Sequence, residues 1–92
     1  MALHLRITGR VQGVGYRAAF LREAEKRGLS GWVRNRLDGS VEAVVAGDAA
    51  ALAAIEEWAW RGPAAANVRA VVVEDAPDAQ VGNQGMDMLP TT

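Results

Sequence analysis

The 92-residue sequence predicts one α+β domain with its elements in the order β-α-β-β-α-β. Three observations predict it. Segments at 3–8, 30–36, 40–46 and 68–74 are strand-like, rich in β-branched residues or alternating apolar with polar. Segments at 16–27 and 49–61 place apolar residues one helical turn apart. Between the second and third strands stands Asp38-Gly39, a strong hairpin signal.

The first strand, "LHLRIT", sets Leu3, Leu5 and Ile7 against His4, Arg6 and Thr8, the mark of a half-buried strand. A glycine-rich loop follows over 9–15. In the first helix Tyr16, Phe20 and Ala24 share one face, Glu23 and Arg27 form an i,i+4 pair, and Gly28 supplies the stop. "SGWVRNR" is the second strand, "LDGS" the turn, and "SVEAVVA" the returning strand, with Val41, Ala43 and Val45 on one side. Asp48 suits an N-cap. The helix after it has Leu52, Ile55 and Ala59 as its inner stripe and ends at Gly62-Pro63. "VRAVVVE" is the fourth strand, 75–85 a loop, "MDML" at 86–89 a short fifth strand, and "PTT" a frayed end.

This order is the split βαβ, ferredoxin-like arrangement, with two helices on one face of a largely antiparallel sheet and a short fifth edge strand. The first two strands belong to one βαβ unit and run parallel, so their C-terminal ends lie at the same side of the sheet. The glycine loop leaves the first strand there, and Asn35 sits near the end of the second. With the third strand between them, the gap is roughly 9–10 Å, room for a phosphate and a water.

Composition narrows the classes. A chain of this length holds one modest core, burying about 60–65% of its unfolded surface. Without cysteine, the sequence has no disulfide, thiol chemistry, iron–sulfur cluster or cysteine zinc site. No apolar run approaches the ~20 residues of a membrane helix. The N-terminus alternates, unlike the unbroken apolar core of a signal peptide, so the expected compartment is the cytoplasm. Charge is segregated: residues 1–36 carry eight Arg or Lys against Glu23 and Glu25, and residues 37–92 carry nine acids against Arg61 and Arg69. A basic half beside a glycine loop favours an anionic ligand, although a mixed surface split along the chain would read the same way.

The loop, "GRVQGVGYR" at 9–17, matches the dinucleotide pattern G-x-G-x-x-A at Gly13, Gly15 and Ala18. The context denies it that role. The next strand ends in Asn35-Arg36 instead of an acid, and the chain is too short for a doubly wound sheet. Gly-Lys-Ser/Thr is absent, so it is no Walker loop. Physically it remains an anion cradle: glycines let successive N–H groups converge, the helix start adds its dipole, and Arg17 offers a bidentate guanidinium. The same glycines would equally make a plain strand-to-helix turn with Arg17 in solvent. The residues by themselves leave both readings open.

"GRVQGVGYR" together with "GWVRNRLDGSVEAVVAG" at 31–47, "GP" at 62–63 and "NVRAVVVE" at 67–74 resembles the acylphosphatase family. The resemblance covers nearly the whole chain. It implies that Arg17 binds the substrate phosphoryl group together with backbone N–H groups of Gln12, Gly13, Val14, Gly15, Tyr16 and Arg17. It implies that Asn35 positions the attacking water. It implies hydrolysis of a small-molecule acyl phosphate by a monomer. Many relatives carry an aromatic-aliphatic pair in the closing strand where this chain has Met86 and Met88, a departure that bears on the packing of the last strand.

These residue types suffice for that chemistry. The leaving carboxylate derives from an acid of pKa ~4–5, so it departs without a general acid. Phosphoryl transfer needs charge stabilisation and in-line positioning more than covalent help. The carboxylates are scattered, so no metal and no other cofactor is expected. The other candidates read as structural: His4 as a packed or surface histidine, Trp32, Trp58 and Trp60 as packing groups, Asp38-Gly39 as a turn, Glu56-Glu57 and Arg10, Arg34 and Arg36 as solvated charges. An RNA-binding module would need aromatics on the third strand, which is wholly non-aromatic, so no nucleic-acid partner is expected. Nor is a membrane partner expected. A third reading is a carbamoyl-phosphate-handling domain, similar to the first domain of a hydrogenase-maturation carbamoyltransferase. Such domains belong to far longer chains, and a chain of this size argues instead for the independent enzyme.

Overall fold

A computed structural model describes residues 1–78, 81 and 84–92. Its elements are β1 (Ala2–Arg10), α1 (Tyr16–Lys26), β2 (Ser30–Asn35), β3 (Val41–Ala46), α2 (Ala49–Arg61), β4 (Asn67–Ala76) and β5 (Met86–Met88). They form one mixed sheet in the order β4-β1-β3-β2-β5. As expected, β3 lies between β1 and β2 and pairs antiparallel with both, so β1 and β2 run parallel. β5 adds to the edge of β2 in parallel. Gly9 and Arg10 extend β1 beyond the expected strand, and Asp75 and Ala76 extend β4. Four residues of the expected loop over 75–85, at positions 79, 80, 82 and 83, lie outside the described residues.

Helix boundaries follow from local chemistry. Asp48 caps α2 by accepting from the Ala51 N–H at 2.8 Å. α1 ends in a Schellman motif: Leu29 N–H donates to the Ala24 carbonyl and Gly28 N–H to that of Glu25, both at 3.0 Å. Gly28 takes φ 73°, which a side chain would resist. The Glu23–Arg27 pair forms at 3.4 Å.

Both helices cover one face of the sheet. Leu5, Ile7, Val33, Val41, Ala43 and Val45 meet Tyr16, Phe20 and Ala24 from α1 and Leu52, Ile55 and Ala59 from α2. Trp58 completes an aromatic cluster with Tyr16 and Phe20, its centroid 5.5 and 6.0 Å from theirs. The buried Tyr16 hydroxyl donates to the Ala59 carbonyl at 2.7 Å and ties α1 to α2. Burial pushes its pKa up, so it stays a donor. Met86 is buried and closes the core at the β5 edge, so the last strand packs without an aromatic.

Two expectations are corrected here. Trp60 is 51% exposed: helical geometry turns it away from the stripe that holds Trp58. The C-terminus is not frayed, because Thr92 N–H donates to the Asn35 carbonyl at 3.2 Å and Leu37 N–H to the Thr92 carbonyl at 3.0 Å. The segment after β5 thus continues along the end of β2.

Among the described residues, the opposite face of the sheet carries no helix. There Val44 is buried on the reverse side of β3, and Arg34 lies over the Trp32 ring at 4.9 Å. Glu42 accepts from Arg34 Nε at 2.8 Å, pairs with His4 Nε2 at 2.7 Å and approaches Arg36 at 3.4 Å. Partial burial raises its pKa, but the bonds from His4 and Arg34 and their charges outweigh this and hold it below the ordinary glutamate value. A depressed carboxyl contributes stability above its unfolded pKa and loses it as pH falls through the folded one. Glu42→Gln should therefore lower stability at neutral pH. The difference from the parent should shrink as pH falls below about 4.5. Urea titrations at several pH values measure it, and a difference that grew on acidification would contradict the assignment.

Candidate active site

The loop between β1 and α1 spans residues 11–15. Val11 is buried beneath it, and Val14 turns inward and packs against the core. Gly13 and Gly15 take φ 76° and 79°, while no non-glycine residue among those described has a positive φ. Alternation of this kind turns successive N–H groups to one side, forming an anion-binding nest. A Cβ at either glycine would meet nothing within 4 Å, so the backbone conformation demands glycine here and steric room does not. Gly15 is also the N-cap of α1, and no side chain caps this end. The first loop-to-helix bond is Ala19 N–H to the Gly15 carbonyl at 3.0 Å. Helix geometry leaves the amides of Tyr16, Arg17 and Ala18 without internal acceptors.

Gln12 fixes the loop in space. Its Nε2 donates to the carbonyls of Arg36 and Ser40 at 2.8 and 2.9 Å, the two ends of the β2–β3 turn. Within that turn Asp38 accepts from the Ser40 N–H and hydroxyl and pairs with Arg6. The Ser40 bonds and then the arginine pull its carboxyl down to about 2. So Asp38 does more than start a turn: it locks the hairpin to which Gln12 anchors the loop.

A pocket of about 220 Å³ opens between these elements. Gln12, Gly13, Gly15 and Arg17 line it from the loop and α1, and Asn35 and Met88 from β2 and β5. Tyr16 also lines it, although its hydroxyl is engaged with α2. The sequence-predicted residues are thereby brought together, except Val14, whose side chain serves the core. Arg17 Nη1 donates to the Leu89 carbonyl at 3.4 Å, a long bond that leaves most of its five donors available. Asn35 Oδ1 is buried with no hydrogen-bond partner among the described residues. An orphaned buried acceptor costs about 1–3 kcal/mol, and such groups are rare outside functional sites.

Sequence reasoning missed Met88 and the Leu89 carbonyl. A backbone carbonyl leaves no trace in side-chain identity, and a methionine in a short apolar strand reads as core. His4 lies on the helix-free face with Glu42, away from the pocket. Among the described residues no group of three or more His, Asp or Glu could hold a metal ion.

The acylphosphatase family model matches residues 3–84. The acylphosphatase of Azoarcus sp. (strain BH72) is 58% identical over 87 residues, covering 95% of this chain and 87% of that one. The chain belongs to the acylphosphatase family. The family hydrolyses acyl phosphates. Two solved members superimpose closely. The acylphosphatase of Bacillus subtilis has a TM-score of 0.86 at 33% identity, over 96% of this chain and 97% of that one. The acylphosphatase of Coxiella burnetii has a TM-score of 0.87 at 32% identity, over 96% and 90%. The acylphosphatase relatives are thus small chains that this one spans nearly end to end.

The loop conformation makes a direct prediction. Gly15→Ala should cost about 1–2 kcal/mol in a urea titration, because alanine resists the left-handed region. An unchanged midpoint would mean the loop adopts another conformation.

Proposed function

We propose that this chain hydrolyses small acyl phosphates by direct attack of a water held by Asn35 on a phosphoryl group held by Arg17 and the amides of residues 12–17. The observation that carries the reading is the convergence in one pocket of a glycine nest, a helix N-terminus, Arg17 and Asn35. The nest and the guanidinium bind the anion and stabilise the charge that spreads over the phosphoryl oxygens during transfer. The Asn35 side chain, whose Oδ1 has no partner among the described residues, accepts from the water and aims it at phosphorus. An amide is too weak a base to take the proton, and the phosphoryl oxygens accept it. The carboxylate departs unprotonated.

The chain acts as a single domain over residues 1–92, as a monomer in the cytoplasm, without a metal. Phosphate release from acetyl phosphate should persist unchanged with excess chelator. Loss of turnover on chelation, restored by a divalent cation, would overturn metal independence. Arg17→Ala should raise the inhibition constant of inorganic phosphate about 100-fold and remove most turnover. Asn35→Ala should lower kcat by about 10²–10³ and leave phosphate inhibition nearly intact. The reverse pattern in the two variants would exchange their roles.

A further inference from the structure

The Asn35 amide does not by itself choose the nucleophile. Its Oδ1 accepts a hydrogen bond from an O–H group, and an alcohol supplies that bond as well as water does. An alcohol differs in carrying carbon, so the space beside the amide is what can tell the two apart. β5 bounds that space. It pairs in parallel with β2, with Met86 opposite Gly31 and Met88 opposite Val33. The Leu89 N–H holds this register by donating to the Val33 carbonyl at 2.9 Å. Val33 and Met86 both belong to the core, and alternate residues of a strand share a face. Asn35 and Met88 are therefore diagonal neighbours on the helix-covered face, and both line the phosphate pocket. Strand spacing and rise put such neighbours about 8 Å apart, within reach of a long side chain.

Met88 is 41% exposed, whereas Met86, two residues earlier on the same face, is 7% exposed. The other apolar residues of the lining leave little surface open: Val11 and Tyr16 are buried, and Ala18 is small. Among the described residues, Met88 is thus the large apolar side chain that the pocket leaves accessible, and it stands on the Asn35 side. Arg17 does not draw on it, because the guanidinium bonds the backbone carbonyl of the next residue, Leu89. A methionine is flexible enough to close over a small polar group and has no strong donor or acceptor to compete for it.

We infer that Met88 determines the choice of nucleophile: its side chain confines the space beside Asn35 to a water and keeps alcohols out. This rests on the proposed placement of the water at Asn35. With water, the oxygen bonds to phosphorus, and the acyl oxygen leaves as carboxylate with the electron pair of its P–O bond. The proton passes to a phosphoryl oxygen, and the product is inorganic phosphate. An alcohol admitted instead reacts with the same balance and gives an alkyl phosphate and the same carboxylate. Met88→Ala removes Cγ, Sδ and Cε from the wall, and so makes room for the carbon of an alcohol, while the loop, Arg17 and Asn35 stay in place.

The test is the partition of acetyl phosphate in mixtures of water and methanol, with inorganic phosphate, methyl phosphate and methyl acetate quantified by NMR and the uncatalysed background subtracted. The parent should give inorganic phosphate with little methyl phosphate. Met88→Ala should raise the ratio of methyl phosphate to inorganic phosphate about tenfold. Met88→Leu, of similar volume, should keep the parent ratio. The ratio belongs to the active molecules alone, so a loss of folded protein does not move it. A ratio equal in Met88→Ala and the parent overturns the inference, as does a rise in Met88→Leu as large as in Met88→Ala. Absence of catalysed hydrolysis by the parent, or methyl acetate as its product, overturns instead the proposed function on which the inference rests.

Discussion

The site depends above all on the two hydrogen bonds that Gln12 makes to the β2–β3 turn. The phosphate loop follows β1, and Asn35 ends β2, two strands away. No backbone ladder joins these ends directly. The Gln12 amide spans the gap and sets the loop, and with it Arg17, relative to Asn35. The turn is itself held by Asp38, whose carboxylate takes two bonds from Ser40 and pairs with Arg6 on β1. From the other side, the segment after β5 accepts from Arg17 at Leu89 and donates to the Asn35 carbonyl from Thr92. The Arg17 side chain and the Asn35 backbone are thus each held by chain distant in sequence, as geometry held to fractions of an ångström requires.

The two faces of the sheet divide the work. The helix-covered face holds the apolar core and its aromatic cluster, and the Tyr16 hydroxyl joins the two helices. This keeps the N-terminus of α1, with its free amides, rigidly above the end of β1. On the open face His4, Arg34 and Arg36 gather around the single carboxylate of Glu42. Among the described residues Arg10 at the end of β1 and Arg69 on β4 have no ion pair or side-chain hydrogen bond, and both are exposed.

Much of this was legible in the sequence, for physical reasons that differ by element. Strand alternation, the Asp38-Gly39 turn and the Asp48 cap are local signals, and the elements form where they point. Strand order follows from the βαβ rule, which places Asn35 and the loop at the same side of the sheet. The convergence of Arg17 and Asn35 was legible because both stand at strand or helix ends. What was not legible depends on contacts distant in sequence. Gln12 shows nothing in isolation that marks it as an anchor. The docking of Thr92 and the carbonyl of Leu89 are backbone bonds, which no side chain announces. Trp60 and Trp58 are two residues apart on one helix, and only the packing decides which is buried.

The central claim is attack of water at phosphorus, not at the acyl carbonyl. Hydrolysis of acetyl phosphate in water enriched in heavy oxygen, with both products analysed by mass spectrometry, tests it most directly. The account predicts the label in inorganic phosphate and none in acetate beyond the uncatalysed background. Label in the acetate would place the attack at carbon and contradict the roles given to Arg17 and Asn35.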